Sequence, residues 1–393
     1  MLLSAHRRDN ARVAHAFGVE YPSWFVNPAA EYQSLTRYAG ALDLTHWSIL
    51  RATGKDRVSF LNAMLTADVS TLDTHRGCHA LLTTIKGKII AEMFVFVRED
   101  DVLLLVSQGD VTEAKAVLEK HIIMEDVTLA DASEAFGIIA LEGVKLDDAM
   151  WRFFEKGPFP KEHLQAFPRR FGDIDVYVMR NNVTGMGGYH MLMPSAAVER
   201  MWTYVLQGIR GTDGLPVGSI AWNMCRVEHG LPWYGVDFSD DNFPDECRLG
   251  QTISYTKGCF RGQETLARLH HRGHVNRVLA GLVPVQAPSE ATALANAFGA
   301  DINNYDEPAL QAAAAALAGK LDLSTLYPGG TELFAAGDPS KPVGHVTSAV
   351  FSPRLGRPLL LGYLRREILD AGDPVNTGNG TSLDVIDLPL QRD

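Results

Sequence analysis

Apolar and polar residues along this chain alternate in short runs whose period changes often. Trp47 to Thr53 reads as a strand that Gly54 ends, and Asp56 to Leu65 carries apolar residues at helical spacing. A β-rich stretch follows. His79 to Thr84 and Ile89 to Val97 read as two strands joined at Lys86-Gly87-Lys88, and Asp101 to Ser107 as a third. Asp110 to His121 returns to helical period, and Val127 to Leu129 with Phe136 to Leu141 returns to strand. Strands and helices interleaved this irregularly predict α+β layers, not a doubly wound sheet.

Further along, Gly211 to Pro216 reads as a loop before a capped helix over Ser219 to Glu228. Residues 284–327, with Pro284, Pro288 and an Ala-rich run from Leu310 to Ala318, read as a helical insertion between strands. Lengthening a surface loop costs only about 0.6 kcal/mol per doubling. Strand patterns bracket the insertion: Arg277 to Val283 before it, and Thr331 to Phe334, Val343 to Val350 and Leu359 to Leu364 after it. They predict a small antiparallel barrel or sandwich at the C-terminal end.

Composition narrows the function classes. Lys and Arg number 36 against 47 Asp and Glu, a net charge of −11, so general affinity for nucleic acid is not expected. No hydrophobic run has signal or membrane-spanning length, and Cys78, Cys225, Cys247 and Cys259 are scattered without zinc or disulfide spacing. These features predict a soluble cytoplasmic protein with reduced thiols and no membrane partner. With no G-x-G-x-x-G after a strand and no G-x-x-x-x-G-K-[ST], nucleotide cofactors have no support.

The most unusual stretch is Lys257-Gly-Cys-Phe-Arg-Gly-Gln-Glu-Thr-Leu-Ala-Arg268. Gly258 and Gly262 allow a tight turn around Cys259. Lys257, Arg261 and Arg268 bring positive charge to it, and Gln263-Glu264 opens a helix. Two readings fit: a thiolate favoured by cations and a helix N-terminus, or a small packing residue beside a turn.

Lys257 to Glu264 resembles the signature of YgfZ-type proteins, folate-binding homologues of the glycine-cleavage T-protein (aminomethyltransferase) family, in which the aromatic at 260 is commonly Tyr. Gly40 to His46, with Thr45 in place of Ser, Gly54 to Asp68, Arg226 to Gly235, Gly344 to Ser348 and Leu361 to Leu364 resemble further segments of that family. The first 30 or so residues and 284–327 fall outside the match. The resemblance implies a three-lobed, ring-like α+β fold with a C-terminal antiparallel β-barrel and a central channel for tetrahydrofolate. It further implies a role in synthesis or repair of iron–sulfur clusters in other proteins, tRNA-modifying enzymes included, so the expected partners are iron–sulfur client or assembly proteins. The divisions it suggests are 1–34 as an extension, 35–256 as two folate-binding lobes, and 257–393 as signature helix and barrel.

Under the resemblance Cys259 is the acting thiol and Glu92 the catalytic carboxylate. Glu92, Met186, Arg226, Glu228, Tyr234, Lys257, Arg261, Gln263, Glu264 and Arg268 contact the folate. Two positions depart from a true aminomethyltransferase. Gly87 to Glu92 places Glu92 where the family strand carries an Asp pair, about 1 Å longer in reach. Thr184-Gly-Met-Gly-Gly188 places Met186 where a pterin-reading Glu is expected, and a thioether cannot accept the bidentate bond a carboxylate can. The leading reading is a folate-dependent accessory protein; a folate-dependent one-carbon transferase is the alternative, and an interaction scaffold with an empty channel the second alternative. His270, His271 and His274 do not read as a metal site; His270 and His271 belong with Arg268, Arg272 and Arg277 to a basic rim. Arg226 and Glu228 read equally as a plain surface pair.

Overall fold

The structure is a computed structural model describing residues 1–393 except 108–110, 147–149, 151–153, 155–156, 212, 287–322, 324–325 and 391–393. Most of the 284–327 insertion therefore lies outside the described residues. Three β-based bodies carry the fold, with a two-stranded hairpin, Arg12–Ala16 with Val19–Trp24, near the N-terminus.

The first body is a six-stranded mixed sheet. Its strands run, in spatial order, Ala166–Phe171, Ile174–Arg180, Gly188–Pro194, Phe136–Gly143, Ala39–Asp43 and the short Leu215–Pro216, the last pair parallel. Helix Val198–Arg210 buries Met201, Trp202, Val205 and Ile209 against it, the three-and-four spacing of one helix face. Residues 1–34 are woven into this body: Leu2 and Ala5 join the same core, and buried His6 bonds Asp43 at 2.7 Å.

The second body is a five-stranded antiparallel sheet in the order Gly77–Thr83, Ile89–Val97, Val102–Val106, Ser48–Thr53, Thr128–Asp131. Strand Ile89–Val97 is buried on both faces. Met93, Val95 and Val97 meet the helices Arg57–Met64 and Val111–Glu119, while Phe94 and Phe96 point to the shared centre. Period-two alternation puts Glu92 on that central face too. The strand, turn and helix read over 47–72, and the two strands joined near Gly87, stand where the sequence pattern placed them.

The third body is a closed barrel in the order Arg277–Pro284, Arg357–Arg365, Asp338–Ser352, Glu332–Ala335, Val375–Thr377, Ser382–Ile386, every neighbour antiparallel. Closure removes sheet edges. Its core is continuous with the central cluster. Helix Ser219–Glu228 ties the bodies together: Glu228 accepts from Tyr32 at 2.7 Å and from Ser352 of the barrel, and burial raises its carboxyl above the ordinary range. Among the described residues no helix is long and apolar enough to cross a membrane.

Candidate functional site

A cavity of about 600 Å³ opens at the centre, within the range of small-molecule sites. Its walls come from stretches distant in sequence: the inner face of the five-stranded sheet, the Asn181–Val183 loop, Trp222, and segments 230–233 and 248–254. Flat aromatic faces dominate one side. Trp47 stacks on Phe94 with ring centroids 5.7 Å apart and planes 5° apart, and Trp222 meets Trp233 edge-on at 5.1 Å.

Glu92 stands in this wall, nearly buried, and is not a solvated strand residue. His79 Nε2 lies 2.8 Å from Oε1, and the Ser107 hydroxyl donates to Oε2 at 2.9 Å. The register explains the pairing. Glu92 is opposite Leu81 and His79 opposite Phe94, so the two are diagonal neighbours on one face. His79 stacks on Phe94 at 4.6 Å, which fixes its ring. A carboxylate so held can accept from an amine or accept and return a proton, with His79 as its relay. Cys78 lines the same cavity, its thiol pushed up to about 12 by burial. Arg248, with φ of 61°, also lines it while donating to the carbonyls of Leu279 at 2.6 Å and Leu388 at 3.2 Å.

A second cavity, about 570 Å³, adjoins the first; Ser107 and Trp233 line both. Tyr234, half-buried, lines this one. So does His46, whose two ring nitrogens are buried without partners and whose imidazole burial pushes down to about 4. Phe17 at the hairpin tip stacks on it at 4.5 Å.

Of the residues expected at the site, Glu92 alone lines the main cavity. Met186 packs against the central core, its N–H donating to the Thr184 hydroxyl at 3.2 Å. Arg226 and Glu228 are fully buried and bonded to different partners, which overturns the surface-pair reading. Arg226 donates to Asp237 at 2.6 Å, to Ser348 of the barrel at 2.7 Å and to the Leu231 carbonyl at 2.9 Å, and its guanidinium lies 3.9 Å over Trp233.

The signature loop sits on the five-stranded body. Lys257 Nζ donates to the carbonyls of Asn62, Leu65 and Ala67, each at 2.6 Å, at the C-terminal end of helix Arg57–Met64, where carbonyls lack intrahelical donors. Burial pulls that ammonium down to about 8. Arg261 donates to the Thr83 carbonyl at 2.8 Å and meets His121 at 2.7 Å. Gly262 has φ of +83°, and a Cβ there would fall 2.6 Å from Thr83 Oγ1 and the Thr84 carbonyl. Helix Gln263–Arg272 follows, with Glu264 and Arg268 exposed. Cys259 is left exposed between these anchors. His270 stacks on Tyr255 at 4.2 Å, and no group of three or more His, Cys, Asp or Glu among the described residues is placed to hold a metal.

His79 and Ser107 escaped sequence reasoning because neither stands at a motif spacing; only strand register brings them to Glu92. The period-two pattern of His79 to Thr84 against Ile89 to Val97 was the available signal.

The GCVT N-terminal domain matches residues 2–257, taking in the first 34, and the glycine cleavage T-protein C-terminal barrel domain matches residues 319–386. An aminomethyltransferase of Corynebacterium jeikeium is 25% identical over 93% of this chain and 89% of its own length. One of Cutibacterium acnes is 23% identical over 100% of this chain and 97% of its own. The crystal structure of the glycine cleavage system aminomethyltransferase T from Bartonella henselae superposes with a TM-score of 0.80, at 20% identity, over 99% of this chain and 96% of that one, and so shares the fold. With more than half its length matched by the N-terminal domain, this chain belongs to the glycine cleavage T-protein family.

Proposed function

We propose that this chain binds tetrahydrofolate in the main cavity and serves as a YgfZ-type accessory protein in iron–sulfur cluster assembly or repair, its partners being client or assembly proteins. The observation that carries the folate reading is Glu92, a carboxylate fixed by His79 and Ser107 in a cavity walled by stacked aromatics. A flat heterocycle with ring N–H groups matches such walls and such an acceptor. The accessory reading draws on Cys259. Its loop is anchored from below through Lys257, Arg261 and Gly262, so the thiol faces outward and away from use inside the cavity. A soft, accessible thiol suits iron–sulfur chemistry. The four cysteines, all free, fit a reducing cytoplasm.

Folate-dependent aminomethyl transfer is the second reading. It is favoured by the name borne by relatives aligned over nine-tenths of the chain, and by the carboxylate kept at 92. Calorimetric titration with tetrahydrofolate tests the cavity: binding is expected, weakened at least tenfold by Glu92→Ala, and no heat at millimolar ligand refutes folate binding. Supplying the glycine-cleavage carrier separates the two readings. Aminomethyl transfer that Glu92→Gln abolishes identifies a transferase, whereas absence of turnover with restored client activity in cells identifies the accessory role.

A further inference from the structure

The three most exposed large apolar side chains among the described residues are Met124, Ile123 and Ile85, at 92, 85 and 69%. They come from two loops far apart in sequence, yet both loops converge on the signature segment. Arg261 touches Thr83 through backbone and side chain, and reaches His121 with its guanidinium. Two residues of chain span at most about 7 Å. Ile85, Ile123 and Cys259 are each two residues from one of those contacting residues, so the chain keeps all three close to the Arg261 contacts.

The surface is built. The Glu125 carboxylate accepts the N–H groups of Ile123 at 2.8 Å and Met124 at 3.1 Å, holding a turn whose apolar side chains point to water. The Ile85 turn is closed by Gly87 N–H to the Thr84 carbonyl at 2.9 Å and Thr84 N–H to the Lys88 carbonyl at 2.8 Å. Holding Ile and Met in water has no folding benefit, and exposed apolar clusters mark interaction sites. Segments 84–88, 120–126 and 257–272 carry seven Lys and Arg against three Asp and Glu, a local charge of +4 on a chain of −11. Lys86, Lys120 and Arg268 have no ion-pair partner among the described residues.

We propose that the surface around the Arg261 contacts, carrying exposed Cys259 and the apolar tips Ile85, Ile123 and Met124, docks an acidic protein surface. Resting on the accessory reading, the partner is an iron–sulfur client or assembly protein that meets the thiol there. Cations alone would also suit RNA, but apolar tips bind no phosphate, and their presence favours protein.

The test complements cells lacking the chain with wild type, Ile123→Ser/Met124→Ser, Lys86→Glu, and the distant control Val19→Ser. The readout is the product of an iron–sulfur tRNA-modifying enzyme, measured by nucleoside mass spectrometry. Both face variants are expected to lose tenfold or more of the restored modification while keeping wild-type melting temperature and tetrahydrofolate binding; the control retains full rescue. Met124→Gln serves if the double variant misfolds. Full rescue by the face variants overturns the docking proposal and leaves the accessory reading standing. Failure of wild type itself overturns the accessory reading and the docking proposal with it. Binding of bulk tRNA by purified protein, weakened by Lys86→Glu but untouched by Ile123→Ser/Met124→Ser, makes this a nucleic-acid surface and also overturns the proposal.

Discussion

Replacing Arg226 with Met should cost roughly 3–5 kcal/mol of stability, the penalty for stranding one member of a buried ion pair. Neither side chain of the Arg226–Asp237 pair reaches solvent. With the guanidinium gone, Asp237 keeps the Trp233 N–H at 2.9 Å and the hydroxyls of Thr347 and Ser348 at 2.6 Å each, neutral donors that do not cancel its charge. Methionine refills part of the volume, which places the expected cost nearer the lower figure. Asp237→Asn alone should cost a similar amount, since it strands the guanidinium. The double variant removes both charges together and should fall short of the sum of the singles by about 2 kcal/mol. Urea unfolding of the four proteins at pH 7 measures this directly, at constant m. Strictly additive single costs, or a cost below about 1 kcal/mol for Arg226→Met, would refute the view that this pair clamps helix Ser219–Glu228 to the barrel. Wild-type stability with lost tetrahydrofolate binding would instead make Arg226 a ligand-contacting group.

Two further outcomes follow from burial. His46 has a native pKa near 4 against an ordinary value near 6.5, so the unfolded chain binds a proton that the native chain refuses. Its neutral form therefore supports folding fully above pH 6.5, and that support, about 3 kcal/mol, is lost as pH falls toward 4; His46→Phe should flatten this part of the acid limb, and an unchanged limb counts against it. Limiting iodoacetamide at neutral pH should label exposed Cys259 ahead of Cys78, whose thiol is pushed up to about 12, with buried Cys225 and Cys247 last. Equal labelling of Cys78 and Cys259 by peptide mass spectrometry contradicts this order.

The elements with clear period were legible in the sequence. Helix Ser219–Glu228 stands on the residues that its pattern marked, and four of the six barrel strands were read. The strands at Val375–Thr377 and Ser382–Ile386 are three and five residues long, too brief to show alternation. The strand carrying Glu92 was also legible, but its site was not. The cavity draws on Trp47, His79, Asn182, Trp222 and Arg248, which no local pattern unites. The signature's Gly262 predicts a tight turn, and it adopts one. The sequence pattern makes Lys257 and Arg261 companions of the thiol, yet their N–H groups go to backbone carbonyls and His121. Carbonyls at the end of a helix are acceptors that sequence does not display.

Ser107 belongs to both cavities, and its hydroxyl has a single proton, now directed at Glu92. A guest in the second cavity that claims this proton must take it from the carboxylate. Glu92 then either turns to its own ligand or draws more heavily on His79. Occupancy of the second cavity would in this way bear on the hydrogen bonding of the carboxylate in the first.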